Sequence, residues 1–523
     1  MMNKILLLLL IPFLSLSQNI EDIFKNKGEV YFSFEFSTNK NLLDKISNII
    51  SIDHKTNKDI VFAYANKKEF ENFLNLNIKY KIISKKKIQI NDRDKNILNY
   101  YPAYQEYVNM MTAFSDSFPS ICKLHDLGTL PSGRKILIVQ ISNNVGQKKN
   151  KPSFLYTSTM HGDELTGYIL SLRLIDYILN EYNNDQRLTD LVNNIDIWIN
   201  PLANPDGAYA GGNQGGFMNM YYNATRYNAN NIDLNRNFPD PEDGPHPDGY
   251  PYQTETNIFL SLADTINFNM AANMHGGAEV CNYAWDTWNN LTADNNWWLH
   301  VLREYADSCQ ANSNSGYFEW SNGCNPFANG VVNGSDWYKI SGGRQDYMNY
   351  FRYCKEFTLE LSDEKTPNPN DLEDLWNANY PSLINYLEQS LFGVRGLVTD
   401  SVSGNPIKAK VQITNHDIDS SHVYSNLPIG NYHRYLYQGN YNITFSKSGY
   451  HSKTINVSIL NNTTVIENIK LVPLNSVGFK DINIISKIIN SIDLLGRDIS
   501  KGNKILIHIL ENGTTKKTIK FIE

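Results

Sequence analysis

SFLYTSTMHGDELTGYILSLRLIDYILNEY (153–182) is the stretch on which the fold turns. Its opening, SFLYTST (153–159), has the short apolar composition of a buried strand. ELTGYILSLRLIDYILNEY (164–182) places apolar residues at three- and four-residue intervals, which predicts a helix. His161-Gly162-Asp163-Glu164 sits where strand runs into helix. Working outward, KILIVQIS (135–142), DIWINPLA (196–203) and NMAANMH (269–275) are further strand-like runs with helical runs between them. This alternation from Leu98 to about Leu391 predicts an α/β domain, a mixed sheet with helices on both faces. Its long loops rich in Gly, Asn and Pro, 204–231 and 239–253, are where function tends to lie.

The flanks have a different texture. Residues 18–96 hold strand-like EVYFSFEFS (29–37) and DIVFAYAN (59–66), helix-like LLDKISNII (42–50) and KKEFENFLNL (67–76), and KYKIISKKKIQI (79–90) as a further strand. They predict a small α+β unit; its only histidine, His54, reads as a loop residue rather than a metal ligand. After Phe392 the helices stop. VRGLVTD, AKVQITN, NYNITFSKSGY and KTINVSIL are short strands separated by turns, so 392–473 predicts a β-sandwich. In the last stretch, 474–523, KILIHILENGTTKKTIKFIE reads as a hairpin around Asn512-Gly513.

Length and composition exclude several classes. At ~100–200 residues per domain, 523 residues hold three or four domains. Lys+Arg 47 against Asp+Glu 54, a net charge of −7, offers no basic face for nucleic acid. Five cysteines are too few for a disulfide scaffold; all five (Cys122, Cys281, Cys309, Cys324 and Cys354) fall in the central segment, with pairing not deducible from sequence. MMNKILLLLLIPFLSLS (1–17) combines Lys4, an apolar run and a small-x-small end, the pattern of a signal peptide. That apolar run is about half of the ~20 residues a membrane helix needs. The sequence therefore predicts export, with no transmembrane segment.

The candidate chemistry begins with His161 and Glu164. A His and a Glu three residues apart at a helix start can converge on one metal ion, although the pair alone is more often a polar helix N-terminus with acidic capping residues. His275, in NMHGG (273–277) at the end of another strand, supplies a third ligand type, and a catalytic zinc needs three plus an open position. NPDG (204–207), RYNANNIDLNRNFPD (226–240), WYKISGGRQDYMNY (337–350) and FTLELSD (357–363) complete the set.

HGDE, NPDG, DLNRNFPD, MHGG, GGRQDY and FTLEL, in this order, resemble the zinc metallocarboxypeptidase family over about residues 97–391. The likeness is nearest to the branch of carboxypeptidases D, E, N and M, in which a transthyretin-like β-domain follows the catalytic one; residues 392–473 resemble that domain. The resemblance implies a Zn2+ held by His161, Glu164 and His275. It implies that Glu360 takes a proton from zinc-bound water and delivers it to the leaving amine. Arg226 matches the arginine that stabilises the oxyanion. Asn235 and Arg236 match the pair that grips the substrate's terminal carboxylate, a task for which a planar guanidinium is suited. Tyr338 matches the mobile tyrosine that closes over the terminal residue. Asp286 and Gln345 match the pocket pair of this branch, which implies removal of C-terminal Lys or Arg from peptides and proteins.

Arg344 departs from the pattern, standing where the branch usually has Met; in the pocket it would add an anion contact or repel basic substrates. Residues 18–96 resemble, more loosely, a pro-domain that covers the cleft until cleaved; a permanent accessory domain is the alternative. From about 474, SIDLLGRDISKGNKILIHILENGTTKKTIKFIE resembles a type IX secretion sorting domain, without the usual Asn-Pro opener; this implies a bacterial, secreted or cell-surface protein that meets secretion machinery through its tail. Two other readings stand beside these: a cell-wall peptidase or deacylase on the same fold, and an inactive surface-binding module. The presence of Arg226, Asn235 and Arg236 argues against the first, and that of all three ligands and Glu360 against the second.

Overall fold

A computed structural model describes residues 20–25, 27–36, 40–55, 60–84, 98–313, 316–319 and 330–474, and the backbone of three later strands. The signal-like segment 1–17, Cys324 and the Asn512-Gly513 turn lie outside the described residues.

The strands of the first two regions are, in chain order, β1 (Glu29–Glu35), β2 (Ser51–Lys55), β3 (Ile60–Asn66), β4 (Tyr80–Ile82), β5 (Cys122–Thr129) and β6 (Lys135–Ile141). They continue with β7 (Ser153–Ser158), β8 (Asp196–Asn200), β9 (Met270–His275), β10 (Ala278–Tyr283), β11 (Val331–Asn333) and β12 (Lys355–Ser362).

β1–β4 form an antiparallel sheet in the order β2-β3-β1-β4, packed on helices Lys40–Ser47 and Lys67–Leu74. Asn66 starts the second helix with a reciprocal capping box to Glu69. His54 lies on β2, not in a loop; alternation in DHK was too short to mark it as strand.

β5–β12 make an eight-stranded sheet in the order β11-β10-β12-β9-β7-β8-β6-β5. Its centre, β12-β9-β7-β8, is parallel, and the outer β10 and β6 run antiparallel to it. Both faces are covered, as the near-continuous apolar runs require. Phe154, Tyr156, Met270 and Ala272 point into one core with helices Thr166–Glu181, Asn295–Ala311 and Leu372–Gln389. Leu155, Trp198 and Ala271 point the other way, toward helices Thr254–Ile266 and Arg344–Arg352. From β7 the chain goes to β8 on one side and to β9 on the other, so a crevice opens at the strands' carboxyl ends.

Two sheets built from Gly393–Asp400, Asn431–Arg434 and Ile469–Pro473 on one side, and Lys410–Ile413, Gly439–Ser446 and Lys453–Ile459 on the other, follow. Val398, Tyr432 and Leu471 meet Val411, Ile443 and Phe445 between them. A separate unit begins at Pro473, in which Ile488–Ile492, Lys504–Leu510 and Thr515–Lys520 form an antiparallel sheet. Cys122, Cys281, Cys309 and Cys354 are buried and free. Among the described residues, no helix is long and apolar enough to cross a membrane.

Candidate active site

The crevice collects the expected side chains. His161 follows the end of β7, and the turn that returns the Glu164 N–H to the His161 carbonyl (3.2 Å) brings the Glu164 carboxylate beside the imidazole. Gly162 is needed here, because a Cβ would fall 2.3 Å from the backbone of Gly207. His275 ends β9, and Glu360 is its register partner on β12.

Three ligand atoms converge. His161 Nδ1 is 2.9 Å from Glu164 Oε1, His275 Nδ1 is 2.8 Å from Glu164 Oε2, and the two Nδ1 atoms are 3.1 Å apart. All three residues are buried, and this is the one such cluster among the described residues able to hold a metal ion. Each imidazole's far nitrogen is occupied elsewhere: His161 Nε2 lies 3.1 Å from Asp233 Oδ1, and His275 Nε2 lies 2.7 Å from the Asn273 amide. Both contacts fix ring orientation, and at His161 the Nε2–H donated to a carboxylate leaves Nδ1 for a metal, the outer-shell arrangement metal-binding histidines use. Two imidazoles and one carboxylate are a donor set suited to a catalytic zinc.

The electrostatics fit the same reading. Burial holds the His275 imidazole down at about 4, so it is neutral and free to ligate. Burial would push the Glu164 carboxyl up, but His161, Lys365 and His275 outweigh it and hold it well below the usual carboxylate range. Glu360 is pushed well above its ordinary value by burial and by the Glu164 charge, and its Oε2 is buried with no partner. A divalent cation at the triad reverses much of that push.

Arg226 donates from Nε and Nη2 to Asp233 Oδ2, both at 3.0 Å, and its Nη1 is 3.1 Å from His161 Nδ1. Asp233 thus ties the arginine to a ligand histidine; Arg226, His161 and Arg236 overcome its burial and keep it ionised. Sequence reasoning passed over Asp233, although an Asp two residues before Asn235 is a turn-capping signal: it accepts the Asn235 N–H at 2.9 Å. Asn235 Oδ1 in turn accepts the backbone N–H of Arg344 at 3.0 Å, which leaves the Asn235 amide nitrogen free to face the cavity.

Asp286 is buried at the cavity wall, its Oδ1 accepting from Gln345 Nε2 at 3.1 Å and from Asn282 Nδ2 at 3.4 Å. Burial raises its carboxyl to about 7. No Lys or Arg forms a salt bridge with it among the described residues. Gly334 lies against it: a Cβ there would sit 1.8 Å from Asp286 Oδ1. All the expected site residues except Gln345 line one cavity of about 40 Å3, and Gln345 reaches it through Asp286.

Arg344 is not a pocket residue. Its guanidinium is buried on the far side, bonded to Thr157 Oγ1 and to Glu356 at 2.7 Å. As the first residue of its helix it faces the sheet, so it neither adds an anion contact nor repels a basic substrate.

Lys365 was not foreseen. Its Nζ is 2.6 Å from Glu164 Oε1 and 3.0 Å from Asp53, a residue of β2. Ile52 and Asp53 also line the cavity. Further contacts come from the same small sheet: Ser51 Oγ donates to Asp233, Glu29 accepts the Arg226 N–H at 2.9 Å, and Tyr338 donates to the Ile52 carbonyl at 3.2 Å. Tyr227 donates to Glu69 at 2.7 Å.

A parallel-centred α/β sheet with a buried His-Glu-His triad, a buried carboxylate and two arginines in one crevice defines a metal-dependent hydrolase. The family model described as zinc carboxypeptidase matches residues 107–382, and the chain belongs to that family, whose members act on peptide bonds with one zinc ion. The chain is 32% identical over 389 residues to the carboxypeptidase N catalytic chain of Mus musculus, covering 68% of this chain and 82% of that one. It is 33% identical over 361 residues to carboxypeptidase M of Mus musculus, covering 67% and 78%. Carboxypeptidase D of Homo sapiens matches at 33% over 377 residues, 69% of this chain but only 26% of that protein's length. In fold, the chain is similar to carboxypeptidase A from Helicoverpa armigera (TM-score 0.51, 19% identity, 70% of this chain and 98% of that one). It is equally similar to thrombin activatable fibrinolysis inhibitor (TM-score 0.51, 14% identity, 69% and 99%).

Proposed function

We propose that this protein is an exported carboxypeptidase that removes C-terminal Lys or Arg. The observation that carries the preference is Asp286: a buried carboxylate on the cavity wall with no salt-bridge partner among the described residues, which a cationic side chain would complete. His161, Glu164 and His275 hold the zinc. When bound, zinc supplies a Lewis acid that makes water acidic and polarises the scissile carbonyl. Glu360 takes the proton from the attacking water and hands it to the leaving amine. Arg226 faces the carbonyl oxygen as charge grows on it. Arg236 and Asn235 hold the terminal carboxylate, and Tyr338 closes over the terminal residue once it is free of Ile52.

The small domain of residues 18–96 acts as the pro-domain in this reading. Ile52 and Asp53 line the cavity, Ser51 bonds Asp233, Glu29 accepts the Arg226 backbone N–H, and Asp53 pairs with Lys365 beside Glu164. Residues 392–473 serve as a transthyretin-like companion, and 474–523 as a sorting tail for secretion. The decisive experiment compares hydrolysis of matched peptides ending in Arg, Lys, Phe and Glu by the zinc-loaded protein freed of its first 97 residues. Arg and Lys are expected to lead; a lead for Phe would refute the role of Asp286.

A further inference from the structure

A second cleft lies at the other end of the parallel strands. It is about 240 Å3, opens where β5, β6 and the first residues of β7 and β8 meet the 426–431 turn of the β-sandwich, and shares no lining residue with the crevice above. Asn431 Nδ2, bonded to the Lys151 carbonyl at 3.4 Å, keeps the sandwich wall in place.

Its lining is basic in a chain whose net charge is −7. Lys123, Lys148, Lys149 and Lys151 border it with His125. The one carboxylate in the lining, Asp196, is already engaged: it accepts from Gln140 Nε2 at 2.6 Å, Trp198 Nε1 at 2.9 Å and Ser153 Oγ at 3.5 Å. Among the described residues, no carboxylate pairs with any of the four lysines. Lys151 is not a freely solvated surface amine. It is half-buried, donating to Ser142 Oγ at 2.8 Å, to Asn143 and to the Val192 carbonyl at 3.3 Å. Burial lowers it to about 8 against the opposing pull of Asp196, and nearby Lys149 adds to the lowering. The His125 ring packs on Trp198 with centroids 4.8 Å apart, and its Nε2 is buried with no partner.

An isolated run of lysines on a turn would usually be no more than a solvated face. Here residues 147–151 border a cleft whose lining also carries a fourth lysine, Lys123. Four ammonium groups gathered around a single carboxylate leave an excess of positive charge that a multivalent oxyanion satisfies. The geometry points to this cleft as a binding site for a tetrahedral oxyanion group, a phosphate or sulfate ester on a small body. The volume lies below the ~300–1,000 Å3 of drug-sized pockets, which suits one such unit rather than a folded partner. The site is independent of the reading of the peptide-cleaving crevice.

The test is calorimetric titration of the full zinc-loaded chain with inorganic phosphate and, separately, inorganic sulfate, at low salt where exposed charges are least screened. The terminal-carboxylate site could also take these anions, so the titration is repeated on Arg236→Ala. One saturable event is expected to survive in Arg236→Ala and to weaken at least about tenfold in Lys123→Gln/Lys149→Gln. Both substituted lysines are exposed, so an unchanged melting temperature shows that the double variant is folded. Phosphate binding without sulfate binding assigns phosphate esters, and the reverse assigns sulfate esters. Absence of saturable binding of either ion, loss in Arg236→Ala, or indifference to the lysine substitutions would overturn the site.

Discussion

The catalytic domain is gripped from two sides, and the two grips are made of different material. Against the small N-terminal sheet, the contacts near the cavity are hydrogen bonds and an ion pair: Ser51 to Asp233, Asp53 to Lys365, Glu29 to the Arg226 backbone, Ile52 to Tyr338. Against the β-sandwich, they are a buried charge cluster remote from the cavity. Asp294 receives Lys355 at 2.5 Å, Arg434 at 2.9 Å and His416 at 2.9 Å, and Arg434 also reaches Asp417 at 2.6 Å. Trp297 packs on Tyr435 beside it. Burial would raise the Asp294 carboxyl; Arg434 and Lys355 instead hold it far below the carboxylate range. The lesson is one of compatibility. The first interface lies at the cavity and holds Tyr338, which the proposed mechanism needs free, so on that reading docking and turnover compete. The second uses groups with no part in the chemistry, so it can stay closed throughout.

The largest effect expected confines chemistry to the N-terminal side. Glu360→Gln should keep zinc and lower kcat by ~10³-fold or more, measured on the protein freed of its first 97 residues. Retained activity would mean that another base operates. Next in size, Asp294→Ala leaves Lys355 buried without a counter-charge and Arg434 with Asp417 alone, and should destabilise the protein by about 3–5 kcal/mol in denaturant melts. Loss well below that would show the sandwich to be loosely held. Removing residues 1–97 should raise kcat/KM by roughly 100-fold, the factor for a closed state favoured by ~2.7 kcal/mol, while the Tm of the remainder stays put. Equal activity before and after removal would make the small domain a bystander.

The smallest effect is a pH dependence. Burial raises Asp286 to about 7, so its carboxyl is neutral below that pH and ionised above it. A cationic substrate side chain favours the ionised form. KM for Arg-ended peptides should therefore be lowest above pH 7 and rise as pH falls, by at most about tenfold per unit. Peptides ending in Phe should lack that rise, and the ratio of the two cancels any titration of Glu360.

The sequence made the catalytic interior legible where periodicity and motif coincide. The helix expected over 164–182 runs Thr166–Glu181, and the strand expected over 269–275 runs Met270–His275. The ordered motifs brought His161, Glu164, His275, Arg226 and Glu360 to one cavity. What escaped reading is what depends on contacts between distant segments. Asp53 and Lys365 belong to different domains, and nothing local in DHK or DEK announces that they meet. Arg344 was misplaced for a related reason: its neighbours in GGRQDY face the pocket, but its own partner, Glu356, lies across a helix-to-strand turn. Asp294 gives no local sign either, since its partners Arg434 and His416 come from the sandwich.

The close approach of the Asp286 carboxylate to Gly334 has a consequence for how such a pocket changes over time. Any side chain at that position collides with the Asp286 carboxylate. A substitution at residue 334 would therefore displace the Asp286 carboxylate while every charged residue of the pocket keeps its identity. On the proposed role of Asp286, a lineage would lose its preference for basic termini while every charged residue of the pocket still reads intact.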